Sequence, residues 1–517
     1  MRGRDLRLSV LLAAAVLAAP GLRAQTADGN RAARLVAEGL ALLRAERTAE
    51  AERLLTEAST LDPKNAQASY LLGIALERRR DLEGAQGAYE RAVALDPELA
   101  PAHDRLGFVQ GLLGRTDLAR ASFERAAELD PTFFDAQYHL GVTRWLLRDA
   151  AGAHKALAAA VAIRNDHAES QYYLGLALRA LGRLPDAITH LRRATELDGT
   201  LVVAHAHLGV ALREHGDLDG ARRAAERALV LDPARFDALN TIGLIAMQRG
   251  DAEDAVSTFK RLVDLHPDEP TARLNLGTAL MQKGDLAGAV AVLRALTDRR
   301  PEHAEAFYNL GTALKQQDDF AGAETALREA LRLNPALPDA HYTLGVVLWQ
   351  TRRLAEAKDA FRAATRAKPD YAQAYYMLGT ILRQEREYHA ALVELRRALE
   401  IQPDMPEAHL AIGQILQRQG DRAAAAKAFA EAERLNRIKA DQQAAAFALG
   451  VGLSRLRDGD LDGAVERLRE SVRLDPANAR AHLALADALS RQGHAAEAAK
   501  HRREARRLDP SLATEAP

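Results

Sequence analysis

The chain has 517 residues, of which 48% are hydrophobic, 27% charged and 5% aromatic, a composition typical of folded rather than disordered proteins. Its 70 lysines and arginines nearly balance its 71 aspartates and glutamates, and the resulting net charge of -1 argues against a uniformly basic nucleic-acid-binding protein. The absence of cysteine excludes disulfides, thiol catalysis and cysteine-ligated metal sites.

The first 24 residues have the pattern of a secretory signal peptide. Three arginines precede an apolar run over residues 8–19, and Ala24 supplies a small residue before Gln25. The run is much shorter than the roughly 20 residues that a membrane-spanning helix needs. We therefore predict cleavage after Ala24 and export to the periplasm or the medium, with no membrane span in the mature chain. A retained signal anchor is the alternative.

A glycine recurs along the rest of the chain with a period of 34 residues, and an alanine follows each glycine twelve residues later. The glycines are Gly39, Gly73, Gly107, Gly141, Gly175, Gly209, Gly243, Gly277, Gly311, Gly345, Gly379 and Gly413 and, after a slip of five residues, Gly452. A fourteenth unit has Ala486 at the same place. We number each unit so that this glycine is position 8.

Each unit resembles the tetratricopeptide repeat. The ninth is typical, with Ala304-Glu305-Ala306-Phe307-Tyr308-Asn309-Leu310-Gly311 followed by Asp319, Ala323, Ala330 and Pro335. The resemblance covers residues 32–512 and implies an all-α, right-handed solenoid, or superhelix, of about fourteen helix-turn-helix units. It departs from the family at position 11, where leucine mostly replaces the usual tyrosine.

The residues themselves predict the same unit, which is a helix A, a turn such as Gly284-Asp285, a helix B and a proline-containing break. A glycine inside a helix costs about 1 kcal/mol relative to alanine, so its recurrence indicates a packing role. We expect Gly311 to let helix A approach Ala323 of helix B. Because one helix pair cannot bury both of its faces, each repeat should complete its core on its neighbours.

The period divides the chain into six segments. These are a signal peptide over 1–24, a short lead over 25–31, repeats one to twelve over 32–439, an insertion over 440–444, repeats thirteen and fourteen with a C-terminal capping helix over 445–512, and a tail over 513–517. Near the insertion no proline or glycine marks the repeat boundary, so either helix B of repeat twelve runs on or the superhelix changes pitch. The basic stretch 500–503 favours a polar capping helix, with an acidic or phosphate-bearing partner as the alternative.

Candidate catalytic and metal-ligating side chains are not arranged for chemistry. Five histidines share position 4, where the family often has tryptophan, and we interpret them as packing residues: His103, His205, His341, His409 and His482. The sequence lacks the motifs of phosphate-binding loops, nucleophile elbows and zinc helices. We therefore predict no enzymatic activity, no metal and no cofactor.

The resemblance places positions 2, 5, 9, 12 and 13 of helix A on the concave groove of the solenoid, where partners bind. In repeats seven to eleven these positions form columns. They are Gln248, Gln282, Gln316, Gln350 and Gln384 at position 13, Tyr308, Tyr342 and Tyr376 at position 5, Thr278, Thr312 and Thr380 at position 9, and Lys315, Trp349 and Arg383 at position 12. The groove of repeats two to four is more apolar, with Ile74, Phe108, Leu112, Trp145 and Leu146. These residues form either a second candidate contact area or a more tightly coiled part of the solenoid.

The column of glutamines predicts a surface that binds an extended peptide. Primary amides both donate and accept hydrogen bonds, so they can pair with a peptide backbone. The tyrosines beside them add flat apolar area with a polar tip. The alternative is that glutamine is a good helix former, repeated because the unit was duplicated.

Two segments, 274–280 and 308–314, are similar to the repeats of O-linked N-acetylglucosamine transferases, which carry a ladder of asparagines. Here Asn275 and Asn309 are flanked by Thr241 and Thr343, so the ladder has only two members. The sequence also has no counterpart of the glycosyltransferase domain of those enzymes.

Three functional hypotheses follow. The first is an exported scaffold of the bacterial cell envelope that binds protein or extended peptide partners, as family members do in secretion, pilus and exopolysaccharide machinery. The second is a recruiting subunit for a separately encoded enzyme such as a glycosyltransferase, or a polysaccharide-export scaffold. The third is direct glycan binding through the tyrosines and Trp349. Oligomeric state stays open, because an exposed apolar repeat face could equally make a dimer.

Overall fold

The computed structural model describes residues 27–509, and all the regular secondary structure in that range is α-helical. This confirms the predicted all-α repeat fold. The predicted signal peptide and the tail over 513–517 lie outside the described residues. The chain forms two compact units, which meet in sequence between Asp268 and Glu269.

In the first unit, consecutive helices pack against each other across short turns. Its helices are α1 (Ala27–Arg44), α2 (Thr48–Leu61), α3 (Ala66–Arg78), α4 (Leu82–Leu95), α5 (Ala100–Leu112), α6 (Thr116–Leu129), α7 (Phe134–Leu146), α8 (Ala150–Ile163), α9 (Ala168–Ala180), α10 (Leu184–Leu197), α11 (Val202–His215), α12 (Leu218–Leu231), α13 (Phe236–Arg249) and α14 (Ala252–Leu265). Helix α1 begins within the segment that the sequence assigns to the lead.

The second unit continues the same arrangement. Its helices are α15 (Pro270–Lys283), α16 (Leu286–Arg299), α17 (Ala304–Gln316), α18 (Phe320–Leu333), α19 (Pro338–Gln350), α20 (Leu354–Ala367), α21 (Ala372–Gln384), α22 (Tyr388–Ile401), α23 (Pro406–Gln419), α24 (Arg422–Arg457), α25 (Leu461–Leu474), α26 (Ala479–Arg491) and α27 (Ala495–Leu508).

The turn between helix A and helix B is the same in every repeat. Position 15 has positive φ throughout, supplied by glycine in eight repeats and by Glu46, Arg80, Arg148, Asp318, Arg352 and Arg386 in the other six. The next residue is often an aspartate whose carboxylate caps helix B. For example, Asp285 Oδ1 accepts a hydrogen bond from the Gly288 amide at 2.9 Å. The predicted Gly284-Asp285 turn is thus present, with Gly284 at φ 86°.

The glycine at position 8 approaches the expected alanine of helix B but packs most closely against a larger residue. A Cβ atom on Gly311 would lie 2.6 Å from Cγ of Leu327 and 3.2 Å from the carbonyl oxygen of Ala323. The side chain that needs the space is therefore the large one at position 24. In this repeat it is Leu327, which is fully buried. Ala323 contributes its backbone rather than its methyl group, and the expected contact is corrected accordingly.

Consecutive repeats share their hydrophobic cores, as expected from the repeat pattern. Leu191 at position 24 lies in one cluster with Ala204 and Leu208, which are positions 3 and 7 of the next repeat. The same three positions meet again at Leu395, Ala408 and Ile412. In both places one repeat is therefore covered by its successor through these side chains.

Helix α24 differs from all others because it is 36 residues long. It contains helix B of repeat twelve and helix A of repeat thirteen and passes through 440–444 without a break. Of the two expectations for this segment, the helix that runs on is the one observed. The register is kept on both sides, since Gly452 again packs against a position-24 residue, Leu468.

Replacing a position-8 glycine should destabilise the chain, whereas an open helical glycine should accept alanine. A Cβ atom on Gly141 would lie 2.5 Å from Leu157 Cγ and 3.2 Å from the Leu157 backbone nitrogen, while Gly87 in α4 has no atom within 4 Å. We expect Gly141→Ala to lower the free energy of unfolding by about 1–3 kcal/mol. Gly87→Ala should raise it by up to about 1 kcal/mol. Denaturant unfolding followed by circular dichroism measures both, and equal effects of the two changes would contradict this packing role.

Candidate functional site

The predicted glutamines of the second unit are exposed at the C-terminal ends of their helices. We call Gln282, Gln316, Gln350 and Gln384 the glutamine ladder. They belong to α15, α17, α19 and α21, and each is the last or the second-last residue of its helix. At this place the side chain takes no part in the core, so the amides are open to solvent. Gln248 is also exposed and has the same position in α13 of the first unit.

The tyrosines at position 5 lie on the same helices and are half-buried. The ring of Tyr342 lies 5.6 Å from that of Phe361 and 5.1 Å from that of Tyr371, measured between centroids. Burial raises the pKa of the Tyr308 phenol, and the Asp339 carboxylate adds to the rise. The Tyr308 phenol is therefore a neutral hydrogen-bonding group.

Tyr371 belongs to this surface although the sequence analysis did not select it. Its hydroxyl donates a hydrogen bond to Asp339 Oδ1 at 2.8 Å, and its pKa is raised by burial and by that bond. Tyr371 precedes α21 and so lies outside the helix-A pattern from which the columns were derived. The feature of the sequence that could have identified Tyr371 is an aromatic residue at a loop position.

The threonines at position 9 are used within their own helices. Thr278 Oγ1 donates to the carbonyl of Leu274, and Thr312 Oγ1 donates to that of Tyr308, both at 3.0 Å. Thr380 Oγ1 is buried without a hydrogen-bond partner. This column therefore offers a bound chain fewer donors than the sequence indicates.

The residues at position 12 are half-buried and differ in chemistry. Lys315, Trp349 and Arg383 lie one residue before three members of the glutamine ladder. Arg383 Nη1 donates to Gln414 Oε1 of the next repeat, whereas its buried Nε has no partner. Arg383 thus joins two repeats and is less free to bind a ligand than its sequence position indicates.

In the first unit the same helix-A surface contains a buried ion pair that the sequence analysis missed. Asp104 is 1% exposed and its Oδ1 lies 2.8 Å from Nδ1 of His139. Burial lowers the pKa of His139, but the charge and the hydrogen bond of Asp104 outweigh burial, so the pKa is raised. The His139 ring also lies 5.6 Å from Phe108 and 5.2 Å from Phe123. The feature of the sequence that could have identified this pair is an aspartate at position 5, where tyrosine is frequent.

The position of the glutamine ladder is apolar in part of the first unit. Leu112 and Leu146 occupy position 13 and are 55% and 66% exposed. Both belong to the second candidate contact area predicted from the sequence. Repeats three and four thus present apolar side chains at the place where repeats seven to eleven present glutamines.

The five histidines at position 4 contact the loop before their own helix. Nε2 lies within hydrogen-bonding distance of the carbonyl six residues earlier in each, at 3.1 Å for His103, 3.2 Å for His205, 2.9 Å for His341, 3.2 Å for His409 and 3.1 Å for His482. They hold the loop to the helix and so do more than fill space. Over residues 27–509 no group of three or more potential ligands is arranged to hold a metal ion. None of the described helices is long and apolar enough to cross a membrane.

Comparison with known families agrees with the repeat structure. A tetratricopeptide-repeat model matches residues 36–100, 113–166 and 147–200, and a TPR-repeat model matches 452–493. The model of the C-terminal domain of cilia and flagella-associated protein 70 matches residues 234–449. No curated protein matches the chain.

Several solved structures are similar. Yeast Tom70 is 14% identical, with 79% of this chain and 97% of that chain covered and a TM-score of 0.42. YrrB, described as a TPR protein with an unusual peptide-binding site, is 24% identical over 36% of this chain and 96% of its own, with a TM-score of 0.34. MamA is 26% identical over 32% of this chain and 96% of its own, with a TM-score of 0.31.

The recurring helix pairs and the matching family models define an α-helical repeat protein. The chain is a tetratricopeptide-repeat protein. This fold suggests a scaffold for protein–protein interaction, and proteins with it are typically non-catalytic.

The Asp104–His139 pair makes a testable contribution to stability. Because the pKa of His139 is raised in the folded chain, the pair stabilises fully below the ordinary histidine pKa of about 6.5, and this contribution is lost as pH rises through the raised value. We expect Asp104→Asn to lower the free energy of unfolding by about 2 kcal/mol near pH 5.5 and by less near pH 9. Denaturant unfolding at both pH values measures the difference. Asp117→Asn, at a side chain 82% exposed, is the control, and a pH-independent effect of Asp104→Asn would contradict the assignment.

Proposed function

We propose that the chain is an exported, non-catalytic scaffold of the cell envelope that binds an extended protein segment along the glutamine ladder. The observation that carries this proposal is the exposure of the same primary amide at the same position of four successive A helices. An extended chain presents backbone donors and acceptors at regular intervals, which amides can match in either role. The half-buried tyrosines lie on the same helices, eight residues before ladder members, and add apolar contact that orders few rotatable bonds.

The side chains at positions 9 and 12 limit what this surface can recognise in a bound segment. The hydroxyls of Thr278 and Thr312 are bonded within their helices, and the guanidinium of Arg383 contacts Gln414. Direct polar recognition therefore depends mainly on the amides and on the carboxylates at position 2, such as Glu305 and Asp339, which are exposed. A surface of this kind favours backbone recognition with modest sequence preference.

Replacing three amides of the ladder should weaken peptide binding without unfolding the chain. The test uses the full chain and a variant with Gln282→Ala, Gln316→Ala and Gln350→Ala, each screened against a library of random peptides. Alanine is a better helix former than glutamine, so the fold should persist, which circular dichroism can check. Loss of three hydrogen-bonding groups should reduce the affinity of enriched peptides at least about tenfold.

The matched control is a variant with Gln419→Ala, Gln442→Ala and Gln443→Ala, which removes three exposed amides of the same unit outside the ladder. Its peptide affinity should equal that of the unmodified chain. If no peptide is enriched, or if both variants lose binding equally, the ladder is not the binding surface. Enrichment on a glycan array but not by peptides would instead favour sugar binding by the tyrosines and Trp349.

Export is a separate part of the proposal and rests on the sequence of the first 24 residues. Expression of the full chain in a Gram-negative host should yield a periplasmic protein whose N-terminal residue is Gln25. N-terminal sequencing and cell fractionation test this. A chain that keeps Met1 and stays in the cytoplasm would contradict export, whereas a membrane-bound chain that keeps its N-terminus would indicate a signal anchor.

A recruiting role for a separately encoded enzyme, such as a glycosyltransferase, is the second candidate, and a role in polysaccharide export is related to it. The similarity of segments 274–280 and 308–314 to the repeats of O-linked N-acetylglucosamine transferases is its only support. A transferase activity that co-purifies with the chain and is lost in the ladder variant would favour it.

A further inference from the structure

The face through which one repeat packs on the next is marked by three positions. Position 3 is a fully buried alanine in most repeats, including Ala204, Ala306 and Ala408. Position 7 is a buried leucine or isoleucine in repeats two to twelve, as in Leu310. Position 24 of the preceding repeat, such as Leu395, is buried against them. Together these side chains form the inter-repeat interface.

In the first and the last of the described repeats, the residues at positions of this interface are charged. The first repeat has Arg34 at position 3 and Glu38 at position 7. The last repeat has the exposed Arg502 at position 24. These two repeats follow the expectation that terminal repeats carry a polar outer face.

Inside α24 the interface is also open, but its residues are apolar. Helix B of repeat twelve and helix A of repeat thirteen are parts of one continuous helix, so they cannot pack against each other. Phe447 at position 3 is therefore 75% exposed. Phe429 at position 24 packs against Gly413 of its own repeat but is only half-buried, although this position is buried in every repeat from two to eleven. Val451 at position 7 is half-buried as well. An apolar face of this kind is typical of an interface and not of a solvated end.

The two phenylalanines lie on one face of α24. They are eighteen residues apart, which is five helical turns, or about 27 Å along the axis. Between them the same face carries Asn436 and Ala440 at its middle, with Glu433 and Gln443 at its edges, all exposed. Another helix can therefore approach this face closely at Ala440, whereas Phe429 also packs against Gly413 of α23.

We propose that a second copy of this chain covers this face, with the two α24 helices packed antiparallel about a two-fold axis near their middle. In this arrangement Phe429 of one copy packs beside the partner's Phe447, and the second pair forms by symmetry. The half of α24 that belongs to repeat twelve thus contacts the half that belongs to repeat thirteen of the other copy. The pairing continues the inter-repeat interface of the array, now between two molecules.

The size of Phe447 favours a second molecule over closure within one chain. The ordinary contact at position 3 accepts a residue the size of alanine, and a phenylalanine there would overpack it. Closure would also require a break in α24 around 440–444, where no glycine or proline occurs. An antiparallel helix pair can adopt the wider separation that two phenylalanines need.

The molecular mass of the full chain in solution tests this proposal. Sedimentation equilibrium at tens of micromolar should give twice the mass of one chain, and Phe447→Glu should weaken the dimer at least about tenfold. Because the Phe447 side chain is largely exposed, the variant should keep its helical circular dichroism. The control is Val230→Glu, at a side chain 71% exposed in the first unit, which should leave the dimer unchanged. A monomeric chain, or a dimer that survives Phe447→Glu, overturns the proposal.

Cross-linking tests the antiparallel arrangement independently. The chain has no cysteine, so an introduced cysteine is the only thiol. In the proposed dimer the two copies of residue 440 are offset by only about 6 Å along the axis, and the two copies of the exposed residue 426 by about 36 Å. A short bis-maleimide should therefore link Ala440→Cys chains to each other but leave Ala426→Cys chains unlinked. Cross-linking of Ala426→Cys chains, or failure of Ala440→Cys chains to cross-link, overturns the arrangement.

Discussion

The packing of each repeat on its successor is the constraint on which the rest of this structure depends. A single helix pair leaves an apolar face on either side, and Leu191, Ala204 and Leu208 show how neighbouring repeats cover it. Within each repeat, the glycine at position 8 makes room for the position-24 side chain, which also contributes to that face. One large residue therefore links the packing inside a repeat to the packing between repeats, and stability accumulates through nearest neighbours.

Positions outside this packing are free to carry binding chemistry. Position 13 is exposed at the end of helix A, so it can be Leu112 and Leu146 in the first unit and glutamine in the second without a change of fold. Buried charged groups on the same surface cannot vary in this way. Asp104 and His139 depend on each other because a buried charge is costly unless it is paired. The surface of helix A thus combines buried residues that depend on their partners with an exposed position 13 that can vary.

The period of the sequence was sufficient to predict the repeat fold, the turns and the edge on which the glutamines lie. It was not sufficient for contacts that join different repeats, such as Arg383 with Gln414, because these depend on side-chain conformation and not on spacing. The prediction for the position-8 glycine was incomplete for a related reason. Ala323 and Leu327 are one turn apart on the same face of helix B, and the pattern alone cannot distinguish which of them fills the space beside Gly311.

Helix α24 shows what happens when the loop that turns one repeat back onto the next is replaced by residues that favour helix. Without glycine or proline, the segment 436–444 continues the helix, and one internal interface becomes two open faces. In the first and the last of the described repeats such faces are charged, as Arg34 and Arg502 show, whereas Phe429 and Phe447 keep the internal faces apolar. Apolar side chains in these places are costly to expose and become favourable once they are covered. Coverage by another molecule would make the stability of the last three repeats depend on concentration, which distinguishes this segment from the rest of the array.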